Sequence, residues 1–138
     1  MGEKEDALDR SVRALARRDH SAASLRAKLD RAGISEAAQQ EAVSALERAG
    51  YVDDARFALG RAEHLAAKGY GDEWIRGDLE AQGVDPDTAI GALAPEQARA
   101  EEEWRRLGGG VKAVKTLARR GFSEDSLEAL LHRTQYEE

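Results

Sequence analysis

The sequence predicts an all-α fold in which three tandem three-helix repeats stack into an elongated, curved body. The chain of 138 residues has only 5% aromatic residues and is rich in Ala, Leu, Glu and Arg, a composition that favours helices over strands. One pattern, Leu-x-x-x-Gly followed by an apolar residue and then Ser or Asp, occurs three times. Such recurrence is typical of stacked repeats. The predicted repeats are 1–50, 51–94 and 95–138.

The recurring pattern describes the end of one helix and the start of the next. Its leucines are Leu29, Leu79 and Leu117, and each shares a helical face with the residue four positions earlier. The glycine suits the left-handed backbone that ends a helix. The last residue of each copy suits the N-cap of the following helix, and these residues are Ser35, Asp85 and Ser123. Each repeat therefore contains a helix, a glycine stop, a cap and a further helix.

Another helix precedes this pattern in each repeat. In the first repeat, helical spacing predicts that Leu8, Val12 and Leu15 face the core. In the second repeat, we expect the helix to begin at a cap formed by Asp53 or Asp54. Each repeat thus has three helices. A unit of this size buries too little surface to be stable alone, so we expect the repeats to stack on one another.

The third repeat begins at Pro95, and its first helix is expected to bury Ala100, Trp104 and Leu107. The last helix of every repeat supplies further core residues. They are Val43 and Leu46 in the first repeat, Ala89, Ile90 and Leu93 in the second, and Leu127, Leu130 and Leu131 in the third.

The charge distribution limits the classes of partner. The net charge is −6, divided as 0 in the first repeat, −5 in the second and −1 in the third. An acidic total argues against a protein whose main task is to wrap DNA. Residues 111–123 nevertheless contain four cations and no acid. A local basic surface for an acidic or phosphate-bearing partner is therefore compatible with the sequence.

The sequence does not predict an enzyme. Its three histidines, His20, His64 and His132, lack metal-ligand spacing, and His20 is expected in a turn or cap before a helix. Asp53 and Asp54 could bind Mg²⁺, but adjacent carboxylates at a helix start more often serve as cap and first-turn charge. We expect neither a metal nor a cofactor. The absence of cysteine fits a cytoplasmic protein. The sequence has no apolar run of about 18 residues, so we expect no transmembrane helix.

The basic residues are the stronger candidates for function. Arg26 and Arg76 occupy the same position in two repeats, so their helices should present them alike. One interpretation is a solvated face with intrahelical ion pairs; the other is a strip that contacts a periodic partner such as a polymer. Tyr51, Tyr70 and Trp74 are expected to pack between repeats rather than to stack on bases.

Four stretches resemble the signature blocks of the RecX regulatory protein family, in that family's order. They are "RDHSAASLRAKL" at 18–29, "AGYVDDARFA" at 49–58, "KGYGDEWIRGDLEAQGVD" at 68–85 and "LARRGFSEDSLEALL" at 117–131. The resemblance covers nearly the whole chain. It departs from the family in the acidic middle repeat and in a start almost directly at the first helix.

The resemblance implies a modulator of the RecA recombinase, built from tandem three-helix repeats. Family members bind in the groove of RecA–single-stranded-DNA filaments and inhibit strand exchange, ATPase and coprotease activity, without catalytic residues or a cofactor. Some also contact DNA directly. We therefore expect a cytoplasmic monomer that binds the RecA filament, with direct competition for single-stranded DNA as the alternative. The expected contact residues are Arg18, Arg26, Lys28, Arg56, Lys68, Arg76, Lys115, Arg119 and Arg120.

Overall fold

A computed structural model describes residues 2–137 of the chain, with side chains through residue 135. Within this range the protein is built of α-helices and has no strand, which confirms the all-α prediction. The helices are α1 (Glu3–Arg17), α2 (Ala22–Arg31), α3 (Glu36–Arg48), α4 (Asp54–Ala67), α5 (Asp72–Ala81), α6 (Asp87–Gly91), α7 (Glu96–Arg106), α8 (Gly110–Arg119) and α9 (Glu124–Glu137). No described helix is long and apolar enough to cross a membrane.

The chain divides into two compact units. Unit 1 consists of Met1–Ala58 and Ala81–Val84, and unit 2 consists of Leu59–Glu80 and Asp85–Glu138. Helices α1, α2 and α3 pack on one another in unit 1, and α7, α8 and α9 do so in unit 2. The second predicted repeat is shared between the units, so the division of the chain into three repeats stays a prediction.

The core of unit 1 forms where the predicted leucines meet. Leu25 and Leu29 of α2 are 0% and 1% exposed, and they lie in one cluster with Val43 and Leu46 of α3. Burial of a leucine or valine side chain contributes roughly 1.5–3 kcal/mol to folding. Spacings of four in α2 and three in α3 therefore identified the core faces of these helices correctly.

The prediction for α1 was wrong at Val12, which is 53% exposed. The buried face of α1 consists instead of Ala7, Ser11 and Ala14. These small side chains let the α1 backbone approach its neighbours closely. With this face of α1 turned toward the core, Val12 points outward. Leu8 and Leu15 are partly buried at the edge of the core.

The core of unit 2 contains Trp104 of α7, Leu117 of α8 and Leu130 of α9, together with Phe122. The predicted inward position of Trp104 is confirmed. Leu131, by contrast, is 43% exposed, against the prediction. Consecutive residues of a helix lie about 100° apart around its axis, so burying Leu130 places its neighbour outside.

Two of the three predicted N-caps and all three glycine stops are present. The Ser35 hydroxyl accepts from the Ala38 N–H at 3.2 Å, and Ser123 accepts from the Ser126 N–H at 3.3 Å. The third prediction was wrong: Asp85 accepts from the Asp87 N–H at 3.1 Å, but α6 begins at Asp87, so Pro86 has the cap position. The stop glycines have positive φ angles of 81°, 76° and 84° at Gly33, Gly83 and Gly121. Local residue chemistry therefore sets these helix boundaries.

Candidate interaction surfaces

Acidic residues at the starts of α4 and α7 bind the N-termini of α2 and α5. Asp54, the first residue of α4, accepts from the Ala22 N–H at the start of α2 at 2.8 Å. In unit 2, Glu96 begins α7 and accepts from the Asp72 N–H at the start of α5 at 2.8 Å. A carboxylate at a helix N-terminus satisfies an open donor and complements the helix dipole.

Glu96 has a second function at the start of α9. It accepts from the Ser123 N–H at 3.0 Å and from the Ser126 hydroxyl at 2.8 Å. Burial opposes its charge, but the hydrogen bonds from Ser123, Asp72 and Ser126 together lower the pKa of Glu96. Glu3 of α1 has the equivalent position in unit 1, where it accepts from the N–H and the hydroxyl of Ser35.

The two aspartates considered for Mg²⁺ are both committed to backbone donors. Asp53 accepts from the Arg56 N–H at 3.1 Å and is the cap of α4, whereas Asp54 holds α2. The described residues contain no group of three or more His, Asp or Glu side chains placed to hold a metal ion. The cap interpretation therefore accounts for Asp53, and Asp54 has a bracing function that sequence spacing did not reveal.

His20 is a buried neighbour of the basic surface. It is 5% exposed, and its Nδ1 shares a hydrogen bond of 3.0 Å with the Ser24 hydroxyl. Burial first, and then the charges of Arg18 and Lys28, lower the pKa of His20. The lowered pKa favours the neutral imidazole, which packs near Arg18 and Lys28 and supports this surface from inside.

Unit 1 carries two basic grooves that share Lys28. One runs between α1 and α2 and is lined by Arg10, Arg13, Arg17 and Lys28. The other is lined by Arg18, Lys28 and Arg31, with residues 81–83 on its far side. Arg18 and Lys28 belong to the predicted contact set. Arg17 and Arg31 were missed. Arg31 lies three residues after Lys28 on α2, and Arg17 lies in the last turn of α1, so both positions indicated the same surface.

The basic grooves hold more positive charge than the neighbouring acids neutralise. Arg10 pairs with Asp6 at 3.2 Å, and Arg13 pairs with Asp9, both within α1. Four further groove cations form no ion pair with any residue in the described range. They are Arg17, Arg18, Lys28 and Arg31.

Two other predicted contact residues of unit 1 differ in environment. Arg26 is half-buried and forms no ion pair within residues 2–135. Arg56 donates to the carbonyls of Gly50 and Tyr51 at 3.2 and 3.3 Å and lies 3.7 Å from Asp19. Arg56 therefore braces the turn between α3 and α4.

In unit 2, two of the predicted contact arginines form ion pairs with carboxylates of the same unit. Arg76 pairs with Asp87 at 2.6 Å, so its environment differs from that of its sequence counterpart Arg26. Arg120 pairs at 3.1 Å with Glu103, whose side chain is almost buried and also binds Arg106. The hydrogen bond from Arg106 is the main reason that the pKa of Glu103 is lowered.

The outer face of α8 is the basic surface of unit 2. Lys112, Lys115 and Arg119 follow one another at spacings of three and four, which places them on one helical face. The lysines are exposed and unpaired among the described residues, and Arg119 donates to the Thr116 hydroxyl at 3.4 Å. Lys68 is likewise exposed, without an ion pair to any residue in that range.

The aromatic residues do not all pack as expected. Tyr70 and Trp74 stack with ring centroids 4.7 Å apart, and the Trp74 backbone approaches Gly121 of the third predicted repeat. Tyr51 is 66% exposed, so its predicted packing role is wrong. It borders an apolar groove together with Val12, Leu15, Ala16 and Leu46.

Comparison with known proteins places the chain among bacterial regulatory proteins. A family model described as "RecX, second three-helix domain" matches residues 53–93. The regulatory protein RecX of Stenotrophomonas maltophilia (strain R551-3) is 36% identical over 133 residues, which cover 87% of this chain and 82% of the relative. That of Xanthomonas oryzae pv. oryzae (strain MAFF 311018) is 37% identical over 135 residues, covering 88% and 84%.

Solved structures agree with the fold. The crystal structure of RecX from Lactobacillus salivarius superimposes with a TM-score of 0.76 at 17% sequence identity, over 96% of this chain and 97% of that one. This likeness supports the helical architecture, and the sequence identities to the curated relatives support the kinship. The chain belongs to the RecX regulatory protein family.

Proposed function

We propose that this protein binds RecA–single-stranded-DNA filaments in the filament groove and inhibits the recombinase, ATPase and coprotease activities of RecA. The observation that carries the proposal is the 36% identity, over 87% of the chain, to a relative named regulatory protein RecX. We propose that the protein acts as a cytoplasmic monomer, and since inhibition requires only binding, the proposal needs no catalytic site or cofactor.

The basic surfaces provide the electrostatic part of the mechanism. Arg18 and Lys28 of the basic grooves, and Lys115 of α8, present charge that no described acid neutralises. Acidic side chains of RecA or the phosphates of its DNA are the complementary groups. Rim charges of this kind mainly raise the association rate and make binding salt-sensitive. The bound protein then obstructs motion between neighbouring RecA protomers or the entry of homologous DNA.

Ion pairing divides the predicted contact set into two groups. Arg56, Arg76 and Arg120 already form ion pairs inside the protein. A new ion pair with the filament would break the internal one, so the net gain in binding free energy would be small. The unpaired cations at Arg18, Arg26 and Lys28 carry the larger share of filament contact. Lys68 and Lys115 belong to the same group, and Arg119, with only a weak hydroxyl contact, lies between the two.

Direct binding of single-stranded DNA is the second candidate, and the unpaired cations of the basic grooves favour it. A protein that neutralises Z phosphates of single-stranded DNA loses affinity with a log–log salt slope of about −0.7Z. Groove cations Arg17, Arg18, Lys28 and Arg31 would then give a slope of about −3. This candidate requires DNA binding in the absence of RecA, which the first does not.

The DNA-dependent ATPase of RecA tests the proposal. The protein is added below stoichiometric amounts to RecA on single-stranded DNA, and ATP hydrolysis is followed. Inhibition supports the proposed function. Undiminished hydrolysis with the cognate RecA contradicts it. Inhibition that disappears when DNA is supplied in excess over both proteins identifies competition for DNA instead.

A further inference from the structure

Unit 1 has an exposed apolar groove that its own fold leaves unfilled. The groove lies beside the outer face of α1 and the end of α3 and has a volume of about 430 Å³. Its lining is Val12, Leu15, Ala16, Leu46 and Tyr51. Val12 and Tyr51 are 53% and 66% exposed. Apolar surface bordered by polar residues makes the groove a candidate for contact with a protein.

Tyr51 is held ready for contact by its backbone. Its N–H donates to the Leu46 carbonyl at 2.9 Å, and its own carbonyl accepts from Arg56 at 3.3 Å. The neighbouring Gly50 carbonyl accepts from the same guanidinium at 3.2 Å. The aromatic ring therefore projects from a fixed turn, and a preorganised anchor binds at a lower entropic cost than a mobile one. Tyrosine is also enriched among residues that dominate interface energy.

The charge around the groove indicates the nature of its occupant. Residues 10–18, which supply Val12, Leu15 and Ala16, contain four arginines and no acid. The flanking Asp9 and Asp19 pair with Arg13 and Arg56. Of the four arginines, Arg17 and Arg18 have no ion pair to a described residue and open onto the basic grooves. The α1 helix thus presents an apolar face beside a cationic one. The complementary ligand has an apolar group next to carboxylates.

We propose that this groove receives a large apolar side chain carried on an acidic segment of a protein partner. The inference rests on the proposed function, because the segment belongs to the RecA protein of the filament. The apolar side chain fills the space between Val12 and Tyr51, and the carboxylates beside it reach Arg17 or Arg18. A phosphate backbone would satisfy the arginines but leave the groove empty, so a protein segment fits both features.

Two substitutions and one matched control test this proposal. Val12→Asn and Tyr51→Ser alter exposed side chains and so preserve the fold, which thermal denaturation verifies. Leu131→Asn is the control, because Leu131 is also an exposed apolar residue, at 43%, but lies on α9. The dissociation constant for preformed RecA–single-stranded-DNA filaments is measured for each variant. We expect roughly tenfold to thirtyfold weaker binding for Val12→Asn and Tyr51→Ser, and less than about a twofold change for the control.

The outcomes separate this inference from the proposed function. If the unsubstituted protein fails to bind the filaments, both are overturned. If it binds and the two groove variants bind equally well, the groove proposal is overturned and the proposed function stands. Loss of binding to single-stranded DNA alone in Tyr51→Ser would make a nucleobase the occupant. Sedimentation of the unsubstituted protein as a dimer that Val12→Asn converts to monomer would make it a second copy of this chain. Either result contradicts the proposal.

Discussion

Four cations of the basic grooves in unit 1 have no carboxylate partner among the described residues, whereas the arginines of unit 2 are largely internal braces. These four are Arg17, Arg18, Lys28 and Arg31. Arg61 of unit 2 donates to both oxygens of Asp78 at 2.6 and 2.8 Å. Arg99 pairs with Asp72 and also donates to two backbone carbonyls. The difference shows that a count of charges in a sequence does not identify a binding surface. What matters is whether an acid on a neighbouring element lies within reach.

The same contrast applies to the glycine stops. A Cβ atom at Gly33 in unit 1 would meet nothing within 4 Å, whereas one at Gly121 in unit 2 would lie 2.6 Å from the Trp74 nitrogen. The first glycine is required by backbone conformation alone. The second is required by conformation and by the close approach of another helix.

The largest predicted effect is the loss of stability in Gly121→Ala. The left-handed backbone costs about 1–2 kcal/mol for a residue with a side chain, and the collision with the Trp74 backbone adds about 1–3 kcal/mol. Gly33→Ala is the matched control and should lose only the first contribution. Chemical denaturation of both variants measures this difference. Equal losses would show that the contact between Gly121 and Trp74 is unimportant.

A smaller loss of stability is predicted for Glu96→Gln. The amide retains one acceptor oxygen but places N–H groups against the donors of Asp72, Ser123 and Ser126, at a cost of about 1.5–3 kcal/mol. Because the pKa of Glu96 is lowered in the folded state, its contribution is present above the ordinary glutamate pKa and is lost as pH falls through the folded value. The variant should therefore lose less stability on acidification than the unsubstituted protein.

Glu3→Gln provides the comparison in unit 1, where the equivalent carboxylate is solvent-exposed and bonds one residue, Ser35. We expect a smaller change in unfolding free energy than for Glu96→Gln. Identical changes would contradict the view that Glu96, which holds the starts of both α5 and α9, contributes more than Glu3, which holds the start of α3 alone.

These residues also show how far sequence reasoning extends. Caps such as Ser35 and stops such as Gly33 depend on neighbours within a few positions, so the recurring pattern predicted them. The bonds of Glu96 join residues 24 to 30 positions apart, and no local pattern encodes such a distance. The exposure of Val12 was missed because α1 has apolar residues on two faces, and only packing decides which face is buried.

The contact residues were partly predictable for the same reason. Spacing identified Arg18 and Lys28 on the basic surface, and it treated Arg26 and Arg76 as equivalent. Their partners differ because Asp87 follows a short loop that brings it to Arg76, whereas Arg26 has no such partner among the described residues. Equivalent positions in a repeat thus need not have equivalent electrostatic environments.

The smallest predicted effect is a pH dependence from unit 1. The pKa of His20 is lowered by burial and by Arg18 and Lys28, while Asp19 opposes the shift. The neutral form is therefore favoured in the folded state, and stability should fall as pH decreases below about 6.5, where the unfolded histidine gains its proton. Denaturation midpoints between pH 8 and 5 measure the slope. His20→Gln should flatten it, and an unchanged slope would assign the dependence to other groups.

The affinity for RecA–single-stranded-DNA filaments at varied salt tests most directly whether unpaired cations form the contact surface. The double variant Arg18→Glu/Lys28→Glu is compared with Arg76→Gln/Arg120→Gln, which removes two paired charges from unit 2. We predict at least about a tenfold loss of affinity and a shallower salt dependence for the unit 1 variant, and less than about a threefold change for the unit 2 variant. Equal losses, or a larger loss in the unit 2 variant, would contradict the assignment.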